Sequence, residues 1–280
     1  MTTHPEIAIF AAMAKSSNNP SYVHEILDQL SEHGFLQHSR PSWSLFLSAL
    51  AAGLEIGFSI LLMGVLYSLF ENRISEPAMR ISLSLSYPLG FLFVIIGREE
   101  LFTEQTTIAV IPVLSRKKKF ASLLRLWGVV LGGNLIGCFI FSCILATLPV
   151  EMKIIRPEAY QHIAEQIPHY EWSSLFGSAV FAGWLMGLLA WLISSTTETI
   201  SRILLIILVT FVIGVAGLHH CIVGSVEMFT AMLTGNNITL YHYIHFISLT
   251  VPGNIIGGAV FVAALKVSHN KKEDMKAKIP

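Results

Sequence analysis

The chain has 280 residues, of which 53% are hydrophobic and only 13% are charged, and its formal net charge is zero. Soluble domains carry about 25% charged residues, so this composition excludes an ordinary soluble protein and indicates that most side chains face something other than water. The neutral balance of charge gives no sign of a nucleic-acid partner.

The first 40 residues form a polar segment that precedes the apolar part of the chain. Because this segment has a mixed composition without a long apolar run, we expect no cleavable signal peptide. Within residues 21–39, four apolar residues recur at helical spacing among polar ones: Val23, Ile26, Leu27 and Leu30. This pattern predicts a short amphipathic helix on the cytoplasmic face of a membrane.

Residues 41–268 contain six apolar stretches of the length that crosses a membrane, which is about 20 residues. Four of the stretches are continuous, at about 43–70, 123–149, 172–195 and 242–267. We therefore expect an all-α integral membrane protein with a six-span domain over 41–268, followed by a charged cytoplasmic tail over 269–280.

The second and fifth stretches are interrupted by polar residues. The stretch at about 81–114 is broken from Gly97 to Glu100, and the stretch at about 201–234 from Gly217 to Cys221. A charge at membrane depth costs roughly 2.5–3.5 kcal/mol per residue, and irregular backbone there must be buried by protein or border a cavity. The interruptions therefore predict two broken helices at a functional site.

The distribution of lysine and arginine sets the orientation. With six spans, thirteen of these residues fall on the side of the two termini and four on the other side. Positive residues are enriched in cytoplasmic loops, so we predict a multi-pass protein of the inner (plasma) membrane with both termini in the cytoplasm. Lys117 to Lys119 are expected to contact anionic lipid headgroups.

The two halves of the chain, about 41–149 and 172–268, resemble each other. The segments SLFLSALAAGLEIG (44–57) and SLFGSAVFAGWLMG (174–187) agree at 8 of 14 positions. GNLIG at 133–137 matches GNIIG at 253–257, which pairs Asn134 with Asn254. Because three spans per half is an odd number, the halves insert in opposite directions and form a 3+3 inverted repeat. Asn134, Asn254 and the small residue Gly183 are assigned to helix packing.

This architecture has a functional interpretation. Inverted repeats with one interrupted helix in each half bring two half-helix ends close to the membrane midplane. Helix N-termini there present free N–H groups and the positive end of the helix dipole, which suit an anion.

Three motifs resemble the formate/nitrite transporter family: GREELFT at 97–103, GLHHC at 217–221 and PGNIIGG at 252–258. The resemblance runs from about residue 22 to 268, and the arginine before EELFT and the doubled histidine are most similar to the YfdC-like branch, which includes formate-dehydrogenase-associated transporters of the FdhC type. It implies an aquaporin-like protomer with its own pore, assembly into a homopentamer, and passage of formate, nitrite, hydrosulfide or a similar small monovalent anion, either coupled to protons or gated by them. No cofactor is implied.

The resemblance also assigns roles to individual residues. His220 matches the central pore histidine, Thr103 matches the threonine of the loop that breaks the second helix, and Leu101 and Phe102 match a constriction on the cytoplasmic side. Two positions depart from the family pattern, because an asparagine is expected where Gly183 stands and a glutamate is common where His219 stands. Both departures concern the hydrogen-bonding partners of His220 and hence the substrate preference.

Physical chemistry supports a proton-linked role for His220. A bare anion in an apolar constriction carries a penalty of tens of kcal/mol, which protonation largely removes, and histidine is the side chain best able to exchange a proton near physiological pH. We therefore expect His220 to donate a proton to the anion or to stabilise the protonated form. His219 either partners His220 or points away from it. Tyr87, Phe91 and Ile213 could line apolar constrictions that gate by dewetting.

Ionisable residues at membrane depth are functional candidates by default. Glu55 is the only one in the first span, and it could relay protons or hold the backbone of an interrupted helix. Glu100 is expected to hydrogen-bond loop amides, with Glu104 in the same acidic cluster. Arg98 could attract anions or pair with one of these glutamates.

Two other classes of function compete with anion transport. A pore for neutral solutes such as water or glycerol would share the architecture, but it would not need His220 and Glu55. An intramembrane metalloenzyme could use His219, His220, Cys221 and Glu227, but adjacent histidines make a poor chelate on a helix. We therefore expect a transport protein, with no metal site and no enzymatic activity.

Overall fold

The computed structural model describes residues 20–235 and 237–268. Most of the predicted N-terminal segment before the amphipathic helix, at 1–19, and the predicted charged tail, at 269–280, lie outside the described residues. Within the described part of the chain, all regular secondary structure is helical.

The chain forms a series of helices joined by short connections. They are α1 Pro20–Ser39, α2 Ser42–Phe70, α3 Glu76–Ser86, α4 Pro88–Gly97, α5 Phe102–Ile108, α6 Ile111–Leu114, α7 Phe120–Glu151, α8 Pro157–Ala164, α9 Trp172–Ser194, α10 Thr199–Val215, α11 Cys221–Thr234 and α12 Leu240–Gly258. A 3₁₀ turn follows α8 at Ile167–His169, and α12 continues into a π-helical segment at Ala259–Ala264.

Five helical segments are long and apolar enough to cross a membrane. They are Ser42–Phe70, Glu76–Gly97, Phe120–Glu151, Trp172–Ser194 and Leu240–Ser268. Two further apolar helices, α10 and α11, are shorter, with 17 and 14 residues. The chain is an all-helical, multi-pass membrane protein, as its composition predicted.

Aromatic residues mark the beginnings of four of the long helices. Trp43, Phe120, Trp172 and Tyr241 each lie in the first two residues of a helix, and each is at least 60% exposed. Amphipathic aromatic rings are enriched at membrane–water interfaces, so this placement is typical of helices that end at the two surfaces of a bilayer.

The second predicted span differs from its sequence-based outline. Its helix turns at Tyr87, because Pro88 follows and has no N–H group for the helix. The break runs from Arg98 to Leu101, one residue later than predicted, and the helix after it ends at Ile108, although the apolar pattern suggested residue 114. The break in the fifth span likewise covers 216–220, so Cys221 is already helical.

Helix α1 is the amphipathic helix expected at 21–39. Its apolar residues Ile26, Leu27 and Leu30 are buried. It packs against α5, α6, α7 and α9 of the same chain, so its apolar face is covered by the protein itself.

Glycines allow the close approach of two helix pairs, α2 with α7 and α9 with α12. A methyl group at Gly53 would run into the backbone carbonyl of Asn134, and one at Gly183 would run into that of Asn254. Small residues at such contacts let helix backbones approach closely in membranes.

Each short helix that follows a break packs against helices of the other half of the chain. Helix α5, from the first half, packs against α9 and α12, and Thr107 Oγ1 donates to Gly258 O at 3.1 Å. Helix α11, from the second half, packs against α7 and α2, and Ser142 Oγ donates to Val226 O at 3.3 Å. This exchange of short helices brings the two breaks together in the interior of the chain.

Candidate functional site

The side chain of Asn134 stabilises the backbone of the first break, and it is fully buried. Its Oδ1 accepts a hydrogen bond from Phe102 N at 2.8 Å. Its Nδ2 donates to Ala49 O at 2.7 Å and to Glu100 O at 2.9 Å. Backbone groups at a helix break have no partner within the helix, so the amide of Asn134 replaces the missing bonds.

Asn254 does the same at the second break. Its Oδ1 accepts from Cys221 N at 2.9 Å, and its Nδ2 donates to Ala179 O at 2.7 Å and His219 O at 3.1 Å. The sequence indicated a role in helix packing for these two asparagines. Each also satisfies one N–H and one carbonyl group at its break, which would otherwise be orphaned in an apolar interior, and ties the break to an alanine carbonyl of a neighbouring helix.

Two serines that sequence analysis did not single out complete this arrangement. Ser48 Oγ accepts from Glu100 N at 3.1 Å and donates to the Glu99 carboxylate. Ser178 Oγ accepts from His219 N at 3.0 Å and lies 2.7 Å from His219 Nδ1. The available signal was the serine that occupies the same position of the repeated motif in both halves. His219 is therefore anchored to α9 rather than to the neighbouring histidine.

His220 and Thr103 join the two breaks. Thr103 Oγ1 lies 2.7 Å from His220 Nε2, and both residues are buried. His220 Nδ1 accepts from the backbone N–H groups of Ile222 and Val223, each at 3.3 Å, which caps the N-terminus of α11. Since Nδ1 is an acceptor, the hydrogen-bond network assigns the neutral tautomer with its hydrogen on Nε2. That N–H is directed at Thr103.

Aromatic rings lie against this pair on one side. The Phe91 ring packs edge-on to the His220 ring with centroids 5.2 Å apart, and Tyr87 stacks on Phe91 at 5.5 Å. Ile213 is buried on α10 and lines the same cavity as Tyr87. Three of the predicted constriction residues therefore lie together near His220.

The other two predicted constriction residues, Leu101 and Phe102, are buried at the first break. The Phe102 ring packs edge-on to Trp127 of α7, with centroids 6.3 Å apart. Leu101 is the last residue of the break, and Phe102 precedes Thr103 at the start of α5.

Two cavities approach this region from opposite ends of the molecule. The α1 cavity, of about 600 Å³, is lined by residues that include His33, Gln37, Arg98, Glu99, Glu104 and Arg202. The α8 cavity, of about 420 Å³, is lined by residues that include Arg80, Tyr87, His162, His219, His220 and Glu227. Helix α10 contributes its first turn to the α1 cavity and its last residues to the α8 cavity, so it runs from one cavity to the other.

Glu100 connects α1 to the first break. Its carboxylate accepts from Gln37 Nε2 at 2.8 Å, from Gln105 Nε2, and from the Arg40 guanidinium, with which it forms an ion pair. The sequence predicted that this carboxylate would hold loop amides. Asn134 and Ser48 hold those amides instead, and Glu100 binds side chains of the N-terminal segment.

The remaining charged candidates lie around the α1 cavity and α2. Arg98 ends α4 in a left-handed conformation with φ of 62° and lines the α1 cavity together with Glu104. In the part of the chain that the structure describes, the Glu104 carboxylate has no hydrogen-bond partner. One carboxylate oxygen of Glu55 is buried and also lacks a partner among the described residues.

Two histidines of α1, His33 and His38, lie outside the membrane-spanning helices and have lowered pKa values. Burial lowers the pKa of His33, and the nearby charges of Arg40 and Arg98 lower it further. Burial also lowers the pKa of His38, whose ring nitrogens contact Ser122 Oγ at 2.8 Å and Ala109 O at 2.9 Å. Both histidines therefore favour their neutral form while α1 is docked.

The element that covers the α8 cavity was not predicted from the sequence. Helix α8 and the turn after it contribute His162, Gln166 and Tyr170 to the lining. The local signal was Pro157 followed by Glu158, since proline and an acidic residue favour the first turn of a helix. As for metal chemistry, the described residues contain no group of three or more potential metal ligands.

The family of the chain follows from comparison with known proteins. The profile described as "Formate/nitrite transporter" matches residues 24–268. The chain belongs to the formate/nitrite transporter family. Members of this family are membrane transport proteins and not enzymes. The resemblance drawn from the motifs at 97–103, 217–221 and 252–258 is thereby confirmed.

Individual relatives agree with this assignment. This formate/nitrite transporter is 32% identical to "Inner membrane protein YfdC" of Escherichia coli over 92% of its own length and 82% of that protein. Its structure resembles a solved "FNT family ion channel" with a TM-score of 0.75 at 18% identity, covering 89% of this chain and 98% of the other. It also resembles a "Pentameric formate channel with formate bound" with a TM-score of 0.71 at 22% identity. That match covers 81% of this chain and 97% of the other.

Proposed function

We propose that this transporter passes small monovalent anions, formate or nitrite, through one pore in each protomer. The observation that carries this proposal is the position of the His220–Thr103 hydrogen bond. It joins two helix breaks and lies between two cavities that enter the same chain from opposite ends. A pore at this point would run through a single chain.

The proposed architecture is an aquaporin-like protomer of six spans in a 3+3 inverted repeat, with the second and fifth spans interrupted. The halves are about 41–149 and 172–268, preceded by the N-terminal segment 1–40 and followed by the tail 269–280. The matched hydrogen bonds of Asn134 and Asn254 support the repeat, since each asparagine bridges an alanine carbonyl and a break of its own half.

The proposed assembly is a homopentamer in the inner membrane with both termini in the cytoplasm. The excess of lysine and arginine on the side of the termini supports the orientation. The pentameric formate channel, whose structure this chain resembles, supports the oligomeric state. In this orientation the α1 cavity opens to the cytoplasm and the α8 cavity to the outside, and apolar residues on the outer surface contact lipid.

The proposed mechanism is proton-assisted passage at His220. The Nε2–H of His220 would turn from Thr103 Oγ1 to an oxygen of the passing solute. Because Nδ1 is occupied by two amide groups of α11, the imidazole acts as a neutral hydrogen-bond donor. The proton that cancels the charge of the anion then travels with the solute, which lowers the desolvation penalty of the apolar region.

Supporting roles are proposed for the other candidates. Tyr87, Phe91 and Ile213 form an apolar gate on the outer side of His220, and Leu101 and Phe102 form one on the inner side. Arg98 in the α1 cavity attracts anions, and Glu104 in that cavity and Glu55 on α2 relay protons, while Glu100 ties α1 to the first break. Gly183 and His219, which replace the family's usual residues, tune the choice of anion.

Transport by purified protein in liposomes tests the proposal. Formate, nitrite and hydrosulfide are offered separately across an imposed pH gradient, with protein-free liposomes as the control. We expect saturable uptake of at least one anion, and we expect an inside-alkaline gradient to accelerate it, because the proton then moves down its gradient with the anion.

A different outcome would identify the competing function. If none of the anions enters under any gradient while water or glycerol permeates faster than in protein-free liposomes, the protein is a pore for neutral solutes.

A further inference from the structure

The α8 cavity contains a carboxylate, Glu227, to which neither the motifs nor the comparisons assign a role. Glu227 lies on α11 seven residues after His220, which is about two helical turns or roughly 10 Å along the axis. Residues seven apart share one face of a helix, and both line the α8 cavity. A solute entering from this cavity would therefore pass Glu227 before it reaches His220.

No cation neutralises Glu227 in the part of the chain that the structure describes, and its carboxylate has no hydrogen-bond partner there. Arg80 lines the same cavity, but its Nε donates to Val215 O at 2.9 Å. His162 lies between Glu165, at 3.3 Å, and Glu76, at 3.9 Å.

The other titratable groups of the α8 cavity and of the helices packed against α11 have contacts elsewhere or are phenols and thiols. His219 is held by Ser178, and Tyr87 stacks on Phe91. The helices packed against α11 contribute Cys138 on α7, Tyr160 on α8, Tyr243 on α12 and Tyr67 on α2, and Glu71 follows directly after α2. Glu71 itself is paired with Arg156.

This environment gives the two protonation states of Glu227 opposite effects on an anion. An ionised carboxylate in the cavity repels a monovalent anion, because like charges oppose each other strongly where little water screens them. A protonated carboxyl group can donate to the anion. His220 offers only a neutral N–H, since its Nδ1 accepts from α11, so the proton that accompanies the solute must come from another group.

We propose that Glu227 is the proton-exchange group of the α8 cavity and that it selects weak acids; this inference rests on the proposed transport function. A protonated Glu227 transfers its proton to an oxygen of the entering anion, which leaves the Glu227 carboxylate and a neutral acid. The neutral acid passes Phe91 and His220, and the carboxylate takes up a hydrated proton from the solution that fills the open cavity. In the outward direction the acid returns its proton to the carboxylate.

Anions of strong acids, such as nitrate or chloride, cannot accept the proton and are excluded.

Flux measurements on the full-length protein test this assignment. Labelled formate uptake and the internal pH are followed in liposomes across a series of external pH values, for the wild type, Glu227→Gln, Glu227→Asp and Glu76→Gln. Glu76 lies at the rim of the same cavity with a side chain 77% exposed, which makes Glu76→Gln the matched control.

We expect Glu227→Gln to lower uptake at least tenfold at the pH where the wild type is fastest and to flatten the pH profile. Glu227→Asp should restore a pH-dependent profile, because it keeps an exchangeable proton, and Glu76→Gln should match the wild type. A Glu227→Gln variant with the wild-type profile, or with faster uptake, would overturn the proposal. Faster uptake would mean that Glu227 only repels anions.

Two further results separate the possible failures. If the wild type transports neither formate nor nitrite, the proposed function itself fails, whereas a transporting wild type with an indifferent Glu227→Gln refutes only the inference. If Glu227→Gln does not assemble, the flux test is replaced by infrared difference spectra between acidic and alkaline pH, recorded on the wild type and on Glu227→Asp. A carboxyl band that shifts between the wild type and Glu227→Asp supports the assignment, and identical spectra contradict it.

Discussion

Thr103 and His220 are 117 positions apart in the chain, and a 2.7 Å hydrogen bond joins them at the meeting point of the two helix breaks. The same imidazole caps α11 through Nδ1. His220 therefore has two separable tasks. One nitrogen stabilises the helix that carries it, and the other faces the first break.

Substitution at His220 should separate these two tasks. Asparagine is a strong N-cap, whereas alanine loses the cap at a cost of about 0.5–2 kcal/mol. We expect His220→Asn to assemble and melt like the wild type but to lose most proton-linked anion uptake. His220→Ala should lose uptake and also melt at a lower temperature. Thermal unfolding in detergent and uptake by liposomes measure the two effects.

Thr103→Ser is the matched control, because it keeps the hydroxyl group that faces Nε2. Its uptake should stay near that of the wild type. Normal uptake by His220→Asn would contradict a transport role for the Nε2 side of the ring.

The two asparagines at the breaks should be equally important for stability. Replacing Asn134 or Asn254 by alanine leaves one backbone N–H and one carbonyl group of the break without their partner and removes the bond to a neighbouring helix, and a buried unsatisfied group costs about 1–3 kcal/mol. We expect both variants to lower the melting temperature by similar amounts and to reduce the yield of assembled protein. Gln161→Ala provides a comparison with a smaller expected effect, because it removes bonds at the periphery, to Ala231 O and Thr234 Oγ1.

Much of the fold could be predicted because lipid imposes a simple rule. A span must be about 20 residues long and apolar, so the long helices and the two polar breaks are visible in the sequence itself. The shared motif of the two halves was equally visible. The family resemblance assigned His220 and Thr103 to the pore, but their hydrogen bond was visible only in the structure, since no local pattern connects residues so far apart.

The features that sequence analysis missed depend on packing between distant segments. The carboxylate of Glu100 could bind loop amides or side chains, and only the docking of α1 brings Gln37 and Arg40 to it. Helix α8 is short and polar, so it produces a weak hydropathy signal although it covers one cavity. The turn at Tyr87 was signalled by Pro88 but was obscured by the apolar residues on both sides.

The docking of α1 should weaken in acid because of His33. Its pKa is below the usual 6.5 in the docked helix, owing to burial and to Arg40 and Arg98. The released helix therefore binds more protons than the docked helix, so docking is stable above about pH 6.5 and is progressively lost as the pH falls below that value. Cleavage of α1 after the exposed Glu32 by a glutamate-specific protease, measured against pH and normalised to the cleavage of an unstructured peptide, should accelerate in acid.

His33→Gln removes this titration and should make the cleavage less dependent on pH. Burial lowers the pKa of His38 as well, so a weaker dependence should remain. His24→Gln is the control, since His24 lies on the same helix and is 44% exposed. A His33→Gln profile as steep as that of the wild type would assign the effect to other groups.

Gly183 allows a direct test of the departure from the family pattern. A Cβ at this position would collide with the backbone of Asn254, the residue that holds the second break, and forcing extra atoms into a packed contact costs about 1–3 kcal/mol. We therefore expect Gly183→Ala to lower the melting temperature and anion uptake together, because the displaced Asn254 no longer supports the backbone around His219 and Cys221.

Gly177, on the same helix α9, has no atom within 4 Å of the corresponding position. Gly177→Ala should leave uptake unchanged and stabilise the helix by about 0.5–1 kcal/mol. Restoring the expected asparagine with Gly183→Asn should be worse than alanine, because the larger side chain meets the same backbone. If Gly183→Asn instead assembles and transports normally, α9 and α12 can separate at this contact and close packing does not require the glycine; an altered ratio of formate to nitrite uptake by that variant would then be the test of its proposed role in the choice of anion.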